Sequence, residues 1–149
     1  MKRQITVVFV LALSLLISDC GAGKSTPVPA PKLANPASEN CIAQGGKLTI
    51  EKRGDGGEFG VCWFEDALQC EEWALMRGEC PVGGRKVTGY GPQGRYCSIT
   101  GGEYTVTGGD AANEQGTCSF KNGSQCDGAD YWQGLCDNGA SAAPATTAP

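Results

Sequence analysis

The apolar positions along this chain follow different periods in different stretches. Residues 5–17 form an apolar run of 13, broken only by Thr6 and Ser14 and preceded by Met1-Lys2-Arg3. A positive start before an apolar run of this length reads as a signal peptide, because a membrane-spanning helix needs about 20 apolar residues. Further on, Lys47-Leu48-Thr49-Ile50-Glu51 alternates polar and apolar as a half-buried strand does, and Glu103-Tyr104-Thr105-Val106-Thr107 repeats the alternation. Gly54-Asp55-Gly56-Gly57 is a turn, after which residues 59–64 return as the second strand of a hairpin. Asn35 caps a short helix with Pro36 at its first position, and Gly45-Gly46 ends it; the equivalent stretch 91–100 is a poorer helix former. Residues 70–77 open with Glu71-Glu72 and close with Arg77 before Gly78, the charge order a helix prefers.

The two alternating stretches belong to a repeat written in cysteines. After Cys20 the cysteines fall at 41, 62, 70 and 80, then at 97, 118, 126 and 136, so each recurs after 56 residues. The same shift superposes Gly45-Gly46 on Gly101-Gly102, Thr49 on Thr105, Gly60 on Gly116, Phe64 on Phe120 and Gly78 on Gly134. This is a tandem duplication of one small module. The expected architecture is a small disulfide-rich α+β fold of two modules, each helix, β-hairpin, helix. Its boundaries are a leader at 1–19, a flexible tether at 20–34, modules at 35–84 and 85–138, and a Pro/Ala-rich tail at 139–149.

Comparing the copies separates the faces of the second strand. Cys62 and Phe64 recur as Cys118 and Phe120, whereas Val61 and Trp63 become Thr117 and Ser119. The first pair marks the core. The second leaves Val61 and Trp63 as a possible partner contact, as the seam against the other module, or with Trp63 simply buried under its own chain.

Composition narrows the chemistry. The chain has 149 residues, no histidine, nine cysteines and a net charge of -4. Without histidine, Ser-His-Asp and Cys-His catalysis and His-ligated zinc are excluded. About 100 residues remain for folded structure, with few aromatics, so disulfides must replace much of the core. Four cysteines allow three pairings. A helix from Cys70 to Cys80 would hold its ends about 15 Å apart, beyond the limit of about 7 Å between bonded Cα atoms, which removes the pairing of Cys70 with Cys80 and with it Cys41 with Cys62. Of the remaining two pairings, Cys62 with Cys70 and Cys41 with Cys80 is preferred, because it locks strand to helix and joins the module's ends.

Residues 16–21, Leu-Ile-Ser-Asp-Cys-Gly, resemble the bacterial lipobox, which implies lipidation at Cys20 and attachment to the membrane through that lipid alone. Asp19 departs from the usual small residue there, and cleavage a few residues later by an ordinary signal peptidase, giving a secreted protein, is the alternative. Removing Cys20 leaves an even eight cysteines for disulfides. Gly21 after the cysteine points to the outer membrane of a Gram-negative cell.

Several motifs carry bland readings. Gly21-Ala22-Gly23-Lys24-Ser25-Thr26 lacks the first glycine and the strand–helix context of a P-loop. Glu65, Asp66, Glu71 and Glu72 lack the spaced ligand loop of a calcium site and read as solvated carboxylates, and the cysteines are too far apart for zinc modules, so no metal or cofactor is expected. Arg53-Gly54-Asp55 spells an adhesion tripeptide that a Gly-rich turn produces by chance, and Asn122-Gly123-Ser124 matches a glycosylation acceptor. The acidic balance does not favour nucleic acid.

Asn35-Pro36-Ala37-Ser38, Gln44-Gly45-Gly46, Gly60-Val61-Cys62 and Cys70-Glu71-Glu72-Trp73-Ala74 with Arg77-Gly78-Glu79-Cys80 resemble a small domain of unknown function of bacterial and archaeal envelope proteins, often labelled hemolysin-like. The second module, with Ala129 for Trp73 and no Asn-Pro start, is a divergent copy. The resemblance brings no established activity, and no apolar or basic amphipathic segment beyond the leader supports membrane damage. The expected role is a non-enzymatic envelope module binding a protein or cell-wall component. The alternative is a protease inhibitor presenting Asp66-Ala67-Leu68-Gln69.

Overall fold

The computed structural model describes residues 34–110 and 113–139; the leader, Cys20 and the lipobox lie outside the described residues. In the first module, helix α1 (Pro36–Ala43) is followed by strands β1 (Lys47–Lys52), β2 (Glu58–Trp63) and β3 (Leu68–Glu71) and helix α2 (Glu72–Met76). A short linker strand, β4 (Arg85–Lys86), leads to helix α3 (Pro92–Ile99), strands β5 (Glu103–Gly108), β6 (Gln115–Ser119) and β7 (Gln125–Asp127), and helix α4 (Gly128–Trp132). The strands form two antiparallel sheets, ordered β1-β2-β3-β4 and β5-β6-β7.

The helix, hairpin, helix expectation is only roughly met. The Asn35 side chain accepts from the Ala37 N–H, and α1 has the Pro36 start that the sequence implies. Cys70, however, stands on a third strand, and the second helix starts two residues later. Its cap is Glu71, whose Oε2 accepts from the Ala74 N–H at 2.7 Å. The helix lasts five residues, and Gly78, at φ +72°, turns the chain back.

That reversal corrects the preferred disulfide pairing. The bridges are Cys41–Cys62 and Cys70–Cys80, repeated as Cys97–Cys118 and Cys126–Cys136. Cys70 and Cys80 lie 5.9 Å apart at their Cα atoms, because the intervening segment is strand, one helical turn and a tight turn rather than one helix. Cys62 and Cys70 do face each other on neighbouring strands, yet Cys62 reaches α1 and Cys70 the loop after α2. None of the four bridges joins the modules. They sit among the buried residues of two cores, where each contributes about 2 to 4 kcal/mol.

The cores are packed differently around the same backbone. In the first module the side chain of Glu72, almost fully buried, accepts from Asn35 Nδ2 at 3.0 Å and Ser38 Oγ at 2.5 Å, over a site at Gly60 that a Cβ would fill. In the second module those positions are Gly91, Gly94, Gly128 and Gly116, and Tyr104 stands where the first has Leu48. A Cβ at Gly94 or Gly128 would lie 2.6 or 2.7 Å from the Tyr104 ring. One aromatic ring therefore occupies the volume that a polar network takes in the first copy. Gly91 has no side chain to cap α3; its N–H donates instead to both carboxylate oxygens of Glu114, at 3.2 Å.

The first sheet is covered on both sides. Cys62 and Cys70 face α1 and α2, and the opposite face, with Phe59, Val61, Trp63 and Gln69, receives α3. Arg95 on α3 donates to Glu51 Oε2 at 2.6 Å, to Glu51 Oε1 at 3.0 Å and to Gln69 Oε1 at 2.7 Å, and its guanidinium lies 5.3 Å from the Trp63 ring centre. Phe59 meets Tyr96 edge-on at 5.1 Å and packs into the second module's core. On the second sheet the equivalent face carries Thr105, Thr117, Ser119, Gln125 and Asp127, and it is open.

Candidate functional site

Packing between the modules absorbs most of the residues that the sequence offers as contacts. Val61 is fully buried, which removes it from any partner surface. The pairing of copies misplaces it because Thr117, its counterpart, lies on a face that has no covering helix. Trp63 is half-buried: its Nε1 donates to Thr49 Oγ1 at 3.0 Å while Arg95 covers the ring, so it stands at the seam. In the loop 66–69, Gln69 is buried on β3; the exposed part is Asp66 and Ala67, which with the exposed Glu65 before them make a tight turn with φ 56° and 58° at Asp66 and Ala67. Arg53-Gly54-Asp55 is folded against α4, with the Gly54 N–H donating to the Trp132 carbonyl at 3.1 Å. Arg53 and Asp55 pair with each other at 2.6 Å, a contact that holds the Asp55 carboxyl down at about 2.

Of the four acids weighed for calcium, Glu71 and Glu72 are buried and serve α2 and α1, while Glu65 and Asp66 are exposed; no group of metal-ligating side chains occurs among the described residues. Burial at the seam pushes the Glu71 carboxyl up to about 7, partly offset by the backbone N–H groups of Ala74 and Trp73.

The remaining chemistry gathers beside the linker. The described residues contain eight cations: Lys47, Lys52, Arg53, Arg77, Arg85, Lys86, Arg95 and Lys121. Arg53, Arg77 and Arg95 are ion-paired, with Asp55, Glu79 and Glu51. Of the other five, Arg85, Lys86 and Lys121 line one cleft of about 530 Å³.

The fold fixes this cleft from several sides. Strand β4 is held by pairing with β3, Gln69 opposite Arg85, and Arg85 Nη1 donates to the Gly102 carbonyl at 3.0 Å. Tyr90 packs edge-on against Tyr104 at 5.4 Å with 41% of its surface exposed, and Phe120 packs against Tyr131 at 5.1 Å. Glu103 adds one carboxylate to the lining. A second depression of about 150 Å³, lined by Thr100 and Asn122 among others, shares Gly101, Phe120 and Lys121 with the first. Such a groove offers N–H donors to an anion and aromatic surface to an apolar face.

Sequence reading missed these residues, although the comparison of copies holds the signal. Under the 56-residue shift Lys121 replaces Glu65 and Ser119 replaces Trp63, so one cation is gained and one large ring is lost at the same place.

The family model described as Domain of unknown function (DUF333) matches residues 32–79 and again 92–135. The chain belongs to this family. The two matched DUF333 segments end one residue before Cys80 and Cys136, at equivalent points of the repeat. The Asn35, Ser38 and Glu72 side chains that carry the resemblance are those of the buried network in the first DUF333 copy. No curated protein and no solved structure matches the chain.

Proposed function

We propose that this protein is an exported, lipid-anchored and non-enzymatic DUF333 module of the cell envelope that binds a ligand in the cleft between Arg85 and Lys121. The observation that carries the reading is the convergence there of three cations that have no carboxylate partner among the described residues, in a chain of net charge -4. Four disulfides fit an oxidising compartment outside the cytoplasm. Among the described residues no helix is long and apolar enough to cross a membrane; the proposed attachment is the lipid at Cys20, and the outer membrane is the proposed destination. A protease inhibitor would have only residues 65–67 to present, against the extended strand that a protease grips.

Cell fractionation tests the reading. The wild-type chain should sediment with the membranes and Cys20→Ser should appear in the soluble exported fraction. A Cys20→Ser chain that stays membrane-bound overturns lipid anchoring, and a chain found reduced in the cytoplasm overturns export.

A further inference from the structure

We infer that the cleft beside the linker binds a polyanionic glycan, a sugar chain carrying carboxylate or phosphate groups. This rests on the binding reading above and gives it a ligand class. An acidic protein repels polyanions over most of its surface, so a polyanion is drawn to the place where, among the described residues, unpaired cations cluster. Arg85, Lys86 and Lys121 outweigh the single carboxylate of Glu103 there, and Glu103 provides an acceptor for sugar hydroxyls. Two aromatic side chains stand beside the cations. Tyr90 is pinned by Tyr104 but retains exposed ring, and Phe120 is fixed by Tyr131, so both present surface to the apolar face of a sugar ring at little entropic cost.

The shape favours a chain over a small anion. Lys121 and Phe120 line both depressions, so the groove continues past the cations to Asn122, Thr100 and Glu79, whose carboxylate is already paired with Arg77. The first module differs at the matching positions, with Glu65 in place of Lys121 and Trp63 in place of Ser119.

Binding of the purified full chain to alginate, a glycerol-phosphate glycan, dextran and polyglutamate tests the inference. One or both anionic glycans should bind, more weakly as salt rises, and dextran should not; which of the two binds better tells carboxylate from phosphate as the natural group. Lys86→Gln with Lys121→Gln should weaken binding at least about fivefold. Lys47→Gln with Lys52→Gln, which removes the same charge outside the cleft, should leave it within about twofold, and the melting temperature of each pair should match wild type. Equal losses in both pairs, binding of dextran as tight as alginate, or tighter binding of polyglutamate than of either glycan overturns the inference. A chain that fractionates with the envelope but binds none of these polymers overturns it too and leaves the envelope reading standing.

Discussion

The ring of Tyr104 lies against Gly128, the position that Glu72 holds in the first module. The two copies thus solve one packing problem twice, with a hydrogen-bonded acid in one and an aromatic ring in the other. Gly116→Ala would drive a Cβ into the Tyr104 ring, and it should cost about 1 to 3 kcal/mol in chemical denaturation. In a Tyr104→Leu background the same substitution should cost less, and a double-mutant cycle reads the difference.

Stability should fall as pH rises through the range set by Glu71. Below about 4.5 the carboxyl is protonated in both folded and unfolded chains and contributes nothing. Between 4.5 and about 7 the unfolded chain releases its proton while the buried side chain keeps it, so folding is penalised progressively. Above about 7 the penalty is complete, at about 3 kcal/mol. Glu71→Gln keeps an acceptor for the Ala74 N–H and removes the titration; its denaturation midpoints between pH 4 and 8.5 should lack this decline.

At the seam, Arg95→Ala leaves the buried Gln69 without its partner and Glu51 without its counter-charge, so a loss of about 1 to 3 kcal/mol is expected. Arg77→Ala, which opens only the half-exposed pair with Glu79, should stay within about 0.5 kcal/mol. Trp63→Ser should cost about 1 to 3 kcal/mol through lost apolar burial, and part of that loss should vanish when Arg95 is already Ala.

Peptide mapping without reduction should return Cys41–Cys62, Cys70–Cys80, Cys97–Cys118 and Cys126–Cys136. A peptide joining Cys62 to Cys70, or any bridge between the modules, would contradict the fold described above.

Much of this architecture is legible in the residues. The cysteine period reveals the duplication, the alternation at 47–51 and 103–107 marks β1 and β5, and the Asn35-Pro36 start marks α1. The short helix α2 and strand β3 are not legible, because charge order at 71–77 reports a helix without its length, and Cys70 reads equally well on either element. The burial of Val61 is invisible for another reason: it depends on α3, more than 30 residues away, and no local pattern announces that a sheet face will be covered by the next module. The cleft eludes local reading in the same way, since Arg85 and Lys86 lie on the linker and Lys121 on the turn after β6.

In the first module the outer sheet face bears Phe59, Val61 and Trp63 and takes the following copy's α3 and the aromatic side chains around it. The second module carries Gln115, Thr117 and Ser119 at the matching positions. Stacked repeats grow as a solenoid when each unit leaves an apolar face for the next, and growth ends where that face turns hydrophilic. Those three polar residues leave the second sheet without an apolar seat for another copy's α3, and restoring Phe, Val and Trp there is the change that would create one.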